Sequence, residues 1–213
     1  MEFIADNLAQ YCENKTSPED ELLARLNRET HLKVVSPRML SGHLQGRFLS
    51  FISQLKKPEL IIEIGTYTGY SALCLAEGLV KHGKLISIDV NEETSHYAQA
   101  FIDKSEYRNQ IELIIADAKQ YLSAIKEPID LVFIDADKKN YLLYYQLIFD
   151  KLKKGAVIIA DNVLWSGKIT MPEHLMDKET KALHEFNTFV KNDERVENLL
   201  LPIRDGLMVI IKK

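Results

Sequence analysis

The segment Leu60-Ile-Ile-Glu-Ile-Gly-Thr-Tyr-Thr-Gly-Tyr-Ser71 contains the pattern that decides the fold. An apolar run is followed by Gly65 and Gly69, and then by a stretch with helical spacing. Near-continuous apolar runs suit strands that are buried on both faces of a parallel sheet. The segment therefore predicts a strand, a glycine loop and a helix, which together form the first unit of an α/β fold.

Outward from this segment, further apolar runs alternate with helical stretches. The predicted strands are Leu60–Gly65, Lys84–Val90, Ile111–Ala116, Ile129–Asp135 and Ala156–Asp161. The predicted helices between them are Ser71–Lys81, Glu92–Lys104, Ala118–Lys126 and Asn140–Leu152. This alternation predicts a doubly wound α/β sheet. A further amphipathic crossover helix is predicted over Asp177–Asn192.

The C-terminal end of the chain departs from this alternation. Val196–Ile203 and Leu207–Lys213 are strand-like runs joined across Arg204-Asp205-Gly206. A glycine-containing turn of this length indicates an antiparallel hairpin. The complete sheet is therefore expected to have seven strands and to be mostly parallel.

The N-terminal region reads as helical. The predicted helices are Met1–Glu13, Pro18–Thr30 and Ser41–Leu55. The second helix is expected to begin at Ser17-Pro18, because proline is favoured in a first helical turn. We expect residues 1–57 to form a helical cap on an α/β core of residues 58–213, within a single domain spanning 1–213.

The amino-acid composition excludes several classes of protein. The 213 residues suit one domain, and 46% hydrophobic and 27% charged residues are ordinary for a globular protein. The net charge of -4 argues against a general nucleic-acid binder. No signal peptide and no apolar run of about 20 residues is visible, so no membrane partner and a cytoplasmic location are expected. Cys12 and Cys74 are expected to stay free of a disulfide.

The glycine loop indicates the kind of cofactor. A dinucleotide fingerprint needs G-x-G-x-x-G, whereas Gly65 and Gly69 give G-x-x-x-G. Glu63 lies just before the loop, and its carboxylate would repel a pyrophosphate but attract a cation. S-adenosylmethionine carries a sulfonium and an ammonium group and no phosphate. The loop therefore favours S-adenosylmethionine over NAD.

Acidic residues at the next two strand ends agree with this cofactor. Asp89 follows 24 residues after Gly65, where a carboxylate can accept hydrogen bonds from both ribose hydroxyls. Asp117 and Ala118 end the third strand, where a side chain and a backbone group can meet an adenine edge. Any one of these residues alone is more often a solvated strand end or a helix cap. Together with the glycine loop they predict a nucleoside-binding edge.

The fourth and fifth strand ends predict a metal site. Asp135 ends one strand, and Asp161 and Asn162 end the other. Neighbouring strands lie about 4.8 Å apart, so the two carboxylates should meet and repel unless a proton or a cation lies between them. An all-oxygen set selects Mg²⁺, Mn²⁺ or Ca²⁺ over zinc.

Lys138 is the candidate general base. It follows Asp135 by three residues, and a nearby dication would destabilise its ammonium form, so it can take the proton of a phenol. The alternative for Lys138 is a solvated lysine, which is the favoured interpretation for Lys139. Asp137 is either a helix N-cap or a contact of the cofactor's amino-acid end.

Four motifs carry a family resemblance. They are Glu63-Ile-Gly-Thr-Tyr-Thr-Gly-Tyr-Ser71, Ile134-Asp-Ala-Asp-Lys138, Ala160-Asp-Asn-Val163 and Pro202-Ile-Arg-Asp-Gly206. Through them the chain resembles, from about residue 34 to the C-terminus, the caffeoyl-CoA/catechol O-methyltransferase group, the cation-dependent branch of the Rossmann-like class I methyltransferases. The resemblance implies an S-adenosylmethionine-dependent O-methyltransferase that uses a divalent metal, acts on the hydroxyl of a catechol-type diol and forms a homodimer.

The resemblance also implies roles for individual residues. The metal ligands that it implies are Asp135, Asp161 and Asn162, and the implied base is Lys138. The implied cofactor contacts are Val35, Glu63, Gly65, Thr66, Tyr67, Ser71, Asp89, Ala118, Asp135 and Asp137.

The chain also departs from the family pattern. The segment 36–46 is longer than the usual Ser-Pro-x-x-Gly, and Arg204 stands where a small residue is common. The N-terminal extension with which plant members recognise coenzyme A esters is not evident, which favours a small free catechol. Trp165 is either a substrate-pocket wall or packing, and Tyr141, Tyr144 and Tyr145 are interpreted as packing or a dimer face.

Other enzyme classes fit the sequence less well. An NAD-dependent oxidoreductase lacks its glycine fingerprint here, and no catalytic Tyr-x-x-x-Lys is obvious in residues 58–213. An amine methyltransferase would be expected to end the fourth strand in an Asn/Asp-Pro-Pro-Tyr type motif, whereas this strand ends in Asp135-Ala-Asp-Lys138. A non-catalytic cofactor-binding protein would have no need of Lys138.

Overall fold

A computed structural model describes residues 4–213 of the chain. The strands are β1 (Leu60–Ile64), β2 (Lys84–Asp89), β3 (Ile111–Ile115), β4 (Ile129–Ile134), β5 (Leu152–Ala160), β6 (Val196–Leu201) and β7 (Leu207–Lys212). They form one sheet in the order β3-β2-β1-β4-β5-β7-β6. Strands β1 to β5 pair in parallel, and β7 lies antiparallel to both β5 and β6. The seven-stranded, mostly parallel sheet with a C-terminal hairpin is therefore confirmed.

Helices cover both faces of this sheet. They are α1 (Asp6–Lys15), α2 (Glu21–Lys33), α3 (Gly42–Lys56), α4 (Tyr70–Ala76), α5 (Glu92–Ile102), α6 (Ala118–Ala124), α7 (Tyr141–Phe149) and α8 (Lys178–Asn192). Successive residues of β1 point to opposite faces, as the pleat requires. Ile61 packs with residues of α2 to α5, whereas Ile62 packs with residues of α6 to α8. Burial on both faces explains the near-continuous apolar runs.

The strand register gathers the polar strand ends at one edge. Ile64 lies opposite Ile88 and Ile134, and Ile134 lies opposite Ala160. The residues that follow these positions therefore emerge side by side from the carboxyl edge. The chain reverses its winding direction between β1 and β4, which is where doubly wound sheets bind their ligands.

Three predicted element ends need correction. The helix expected from Pro18 begins at Glu21, because the Asp20 carboxylate accepts a hydrogen bond from the Leu23 amide at 2.7 Å and caps it. The helix expected to reach Lys81 ends at Ala76, and α3 crosses so closely that a Cβ on Gly78 would lie 2.1 Å from the Ser53 backbone. Strand β5 begins at Leu152 rather than Ala156.

The remaining predicted elements agree with the structure to within a few residues. The predicted first helix is found as α1, although residues 1–3 of that prediction lie outside the described part of the chain. The crossover helix is found as α8, with Asp177 as its N-cap. Cys12 and Cys74 are both free. Among residues 4–213, no helix has the length and apolar character needed to cross a membrane.

Candidate active site

A cleft of about 1200 Å³ opens at the carboxyl edge of the sheet. The predicted site residues that line it are Gly65, Asp89, Ala118, Asp135, Asp137, Lys138, Asp161, Asn162, Trp165 and Arg204. A smaller cavity of about 190 Å³ adjoins it and is lined by Thr66, Tyr67 and Ser71. Ligand pockets commonly measure roughly 300–1000 Å³, so the cleft has room for a nucleoside cofactor together with a small acceptor.

Two of the predicted residues line neither cavity. The Val35 side chain is 86% exposed, and its backbone carbonyl accepts a hydrogen bond from the Tyr67 hydroxyl at 3.0 Å. Glu63 is fully buried beneath the glycine loop. Direct contact of either residue with a cofactor remains a prediction.

The glycine loop is held in place by contacts at the ends of the neighbouring strands β2 and β4. Gly65 has a φ of +100°, and a Cβ there would lie 1.9 Å from the Asp135 carbonyl oxygen, so only glycine fits. The Asp89 carboxylate accepts hydrogen bonds from the amides of Thr66 at 2.9 Å and Tyr67 at 3.0 Å. Asp89 therefore holds the loop in place as well as facing the cleft.

Glu63 is a buried carboxylate with spare hydrogen-bonding capacity. Burial raises its pKa to about 8, although the hydroxyls of Ser71 and Ser87 oppose this shift. One carboxylate oxygen accepts a hydrogen bond from the Ser87 hydroxyl. The other forms no hydrogen bond of normal geometry with a described residue, although the Ser71 hydroxyl lies close enough to stabilise the carboxylate. An under-paired buried carboxylate next to the glycine loop fits a cationic ligand better than a phosphate.

Two carboxylates meet at the centre of the cleft, as their strand positions predict. Burial, together with the nearby Asp135 carboxylate, raises the pKa of Asp161 to about 7. One Asp161 oxygen accepts a hydrogen bond from the Gln45 amide nitrogen at 2.6 Å, and the other accepts one from the Asn162 backbone amide at 2.6 Å.

The arrangement of donors at this point suits a hard cation. The two neighbouring carboxylates repel each other, so a proton or a cation between them is favourable. Within residues 4–213, no three His, Cys, Asp or Glu side chains are grouped as a metal site. A cation here would therefore rest on Asp135, Asp161 and neutral oxygens such as that of Asn162, which is a donor set that suits Mg²⁺, Mn²⁺ or Ca²⁺.

Lys138 lies in this cluster and is held by two partners. Its ammonium donates hydrogen bonds to an Asp135 carboxylate oxygen at 3.0 Å and to the Tyr141 hydroxyl at 2.6 Å. Burial alone would lower the Lys138 pKa, but Tyr141 and Asp135 outweigh it and hold the pKa above its usual value. The interpretation of Lys138 as a solvated lysine is wrong, since the residue is buried. Its role as base remains a prediction.

Asp137 does not cap a helix. It precedes a short turn of 3₁₀ helix, but its side chain makes no capping hydrogen bond. Instead its carboxylate accepts hydrogen bonds from the Tyr144 hydroxyl at 2.5 Å and from the Asn140 amide. The side chain is thereby fixed at the edge of the cleft, where the cofactor contact remains a prediction.

Sequence reasoning missed three residues that shape the site. Gln45 on α3 contacts Asp161 across 116 residues of sequence. Tyr141 accepts from Lys138 and donates to the Asp161 carbonyl oxygen at 3.0 Å, so it joins both strand ends. Tyr144 fixes Asp137. The interpretation of Tyr141, Tyr144 and Tyr145 as packing is confirmed, since they are buried, and a dimer face stays a prediction. The hydroxyls of Tyr141 and Tyr144 also organise the polar cluster.

Loops with left-handed backbone surround the cleft. Six residues other than glycine have a positive φ there, namely Ser36, Tyr67, Asn162, Trp165, Ser166 and Arg204. Such conformations are uncommon outside glycine and gather at functional sites. The Trp165 ring lies 5.9 Å from the Lys138 ammonium, and its indole nitrogen is buried without a hydrogen-bond partner among the described residues.

The sheet order, the glycine loop and the acidic strand ends together define a class I methyltransferase. The profile of the O-methyltransferase family matches residues 13–213, and the chain belongs to that family. Its membership confirms the resemblance read from the four sequence motifs.

Known proteins with similar sequences and structures agree with this placement. The chain is 31% identical over 199 residues to a caffeoyl-CoA O-methyltransferase of Stellaria longipes, covering 89% of this chain and 82% of that protein. It is 34% identical over 174 residues to a flavonoid 3',5'-methyltransferase of Vitis vinifera, covering 76% and 74%. A Podospora anserina methyltransferase solved with bound SAH superposes with a TM-score of 0.88 at 27% identity, covering 98% of this chain and 94% of the other.

Proposed function

We propose that this O-methyltransferase transfers the methyl group of S-adenosylmethionine to one hydroxyl of a catechol-type aromatic diol, with a divalent cation at Asp135, Asp161 and Asn162. The observation that carries this proposal is the buried Asp161 carboxylate, which lies beside Asp135 in the lining of the cleft and has a raised pKa. Relatives named for caffeoyl-CoA and flavonoid acceptors support an aromatic hydroxyl as the acceptor.

The cofactor assignment rests on Glu63, because a cationic group bound nearby would stabilise the carboxylate form of this buried acid. The Glu63 carboxylate keeps one oxygen without a hydrogen bond of normal geometry among the described residues, close to the glycine loop. A sulfonium or ammonium group suits such a site, and a pyrophosphate does not. The solved relative that holds SAH supports the same assignment.

The residues of this chain have distinct parts in the proposed reaction. A divalent cation would acidify the acceptor hydroxyl and orient the diol. Asp135, Asp161 and Asn162 would hold that cation, and Gln45 fixes the Asp161 carboxylate. A dication nearby would favour the neutral form of Lys138, which would then receive the hydroxyl proton. The acceptor oxygen forms a bond to the methyl carbon, and the bond from sulfur to that carbon breaks, which leaves S-adenosylhomocysteine. Positioning in a closed cleft supplies much of the rate.

A direct assay tests the proposal. The protein is incubated with S-adenosylmethionine and a panel of diols that contains caffeic acid, 3,4-dihydroxybenzoate, a catechol flavonoid and a caffeoyl thioester. Parallel reactions contain Mg²⁺ or EDTA, and products are detected by mass. We expect methylated diols with Mg²⁺ only. Turnover that is indifferent to EDTA would contradict the metal role, and no turnover of any diol would contradict the acceptor class.

Asp161→Ala isolates the metal role from cofactor binding. A metal ligand should contribute more than a hydrogen-bonded neighbour, whose loss typically costs about 10–100-fold. We therefore expect activity to fall more than about 100-fold while S-adenosylmethionine still binds by calorimetry. Asp150→Ala, which changes an exposed aspartate at the end of α7, is the control and should keep full activity.

The homodimer that the resemblance implies is tested separately by light scattering.

A further inference from the structure

Arg204 adopts a backbone conformation that its residue type does not favour. It lies in the turn between β6 and β7 with a φ of 50°. Left-handed backbone places Cβ close to a carbonyl oxygen, so long side chains seldom adopt it and glycine does so freely. A conformation of this kind indicates that the side chain has a role at this position.

The Arg204 guanidinium reaches across the cleft to one segment. This segment, which we call the strap, comprises residues 34–41 between α2 and α3. The guanidinium donates hydrogen bonds to the backbone carbonyls of Leu40 at 2.5 Å and of Arg38 at 3.1 Å, and a further one to that of Ser41. Arg204 thus joins parts of the chain that lie more than 160 residues apart.

The strap lines both cavities of the site. Pro37, Arg38 and Met39 line the large cleft, and Met39, Leu40 and Ser41 line the smaller cavity. A change in the position of the strap therefore alters the space for the acceptor and for the cofactor together.

The turn that carries Arg204 is itself firmly held. Its Gly206 packs so closely that a Cβ would lie 2.4 Å from the Leu164 side chain. Backbone amides of the loop after β5 donate to the turn, from Val163 to the Gly206 carbonyl at 3.1 Å and from Leu164 to that of Asp205 at 2.9 Å. The turn and this loop thus form a fixed base.

The strap has few other polar ties. Within residues 4–213, the only other side chain that hydrogen-bonds to it is Tyr67, whose hydroxyl donates to the Val35 carbonyl. The Leu40 side chain is buried in the core, whereas Val35 and Met39 are exposed. Removing the Arg204 contacts should therefore free the middle of the strap while its ends stay attached.

We propose that Arg204 is a positioning residue that holds the strap against the C-terminal turn and so fixes the wall that the strap forms along the substrate cleft. The effect on the acceptor rests on the proposed function. The effect on the strap does not, because it depends only on the contacts between Arg204 and the carbonyls.

Proteolysis tests the contact without any substrate. Arg38 lies within the strap and is exposed, so trypsin cleavage between Arg38 and Met39 reports how often the strap detaches. In Arg204→Gly, which suits the left-handed backbone, we expect this cleavage to be about tenfold faster, equivalent to about 1.4 kcal/mol. Arg204→Lys, which keeps the charge but not the forked geometry, should be intermediate. Arg108→Ala, an exposed arginine away from the cleft, is the control and should behave as wild type.

Kinetics test the consequence for the reaction. In Arg204→Gly the KM for the acceptor should rise about tenfold, with kcat changed much less, and it should rise equally for catechol and for 3,4-dihydroxybenzoate. A rise confined to the carboxylate-bearing acceptor would instead make Arg204 a charge partner of the substrate and overturn the proposal. Unchanged Arg38 cleavage would overturn it too. If the wild type methylates no diol, the proposed function fails, while the cleavage rates still decide the role of Arg204.

Discussion

At the scale of single residues, the proposed role of Lys138 as the general base can be tested directly. As a base it must lose its proton, yet the Tyr141 hydroxyl and the Asp135 carboxylate outweigh burial and raise its pKa. Lys138→Met should lower kcat by about 100-fold or more, which is the usual contribution of a general base. The residual rate should increase with pH between 6 and 9, because the acceptor must then ionise unaided.

A neighbouring lysine provides the control for this prediction. Lys139 is exposed, so Lys139→Met should keep the wild-type rate and pH profile. Full activity of Lys138→Met across the same pH range would show that the proton leaves by another route.

Gln45 is the second residue with a specific expectation. Its amide donates to Asp161 at 2.6 Å, and side chains that hold a metal ligand typically contribute about 10–100-fold to metal affinity. Gln45→Leu should weaken Mg²⁺ or Mn²⁺ binding by that factor, as measured by calorimetry. Gln54→Leu, on the same helix but bonded to Ser50 and Glu77, should leave it unchanged. Equal metal affinity in both variants would refute the role of Gln45.

At the scale of elements, the loop between β1 and α4 depends on one glycine. A Cβ on Gly65 would lie 1.9 Å from the Asp135 carbonyl, in addition to the strain of its positive φ. Gly65→Ala should therefore destabilise the fold by more than about 3 kcal/mol, beyond the usual range for a single substitution. Urea denaturation at fixed pH measures the difference.

A second glycine distinguishes the cost of a positive φ from the cost of a steric clash by the added Cβ. Gly155 in β5 also has a positive φ, of +73°, but a Cβ there would meet nothing within 4 Å. Gly155→Ala should cost only about 1–2 kcal/mol, the penalty for left-handed backbone. Similar losses for the two variants would mean that the contact with Asp135 relaxes easily.

The limits of sequence reasoning also appear at the element scale. Strand positions were predictable because apolar runs and turn residues are local signals, and the strand ends then brought Asp135 and Asp161 together. The end of α4 was not predictable, because it depends on the close approach of Ser53 in α3 to Gly78. Gln45 was missed for the same reason, since a neutral side chain 116 residues from Asp161 gives no signal in the sequence.

At the scale of the whole molecule, the stability of the fold should depend on Glu63. Burial raises its pKa from 4.5 to about 8, so the folded protein holds a proton that the unfolded chain has lost. The contribution of Glu63 to the free energy of unfolding is therefore fully present below pH 4.5 and declines as the pH rises towards 8. Asp161, with a pKa raised to about 7, acts in the same direction.

Denaturation at two pH values tests this dependence. Between pH 5 and pH 8 the free energy of unfolding should fall in the wild type, and Glu63→Gln should reduce that fall, because the amide does not titrate. Glu106→Gln, an exposed substitution, should retain the wild-type dependence. A fall of equal size in Glu63→Gln would assign the effect to other groups.

The left-handed residues around the cleft affect how this enzyme can be engineered. Ser36, Tyr67, Asn162 and Trp165 have backbones that glycine would adopt more readily. Screens that select only for heat resistance should therefore favour glycine at these positions, and each such change would remove a side chain from the rim of the catalytic cleft. Thermostable variants obtained in this way would lose turnover, so libraries should hold these codons fixed and diversify the opposite edge of the sheet.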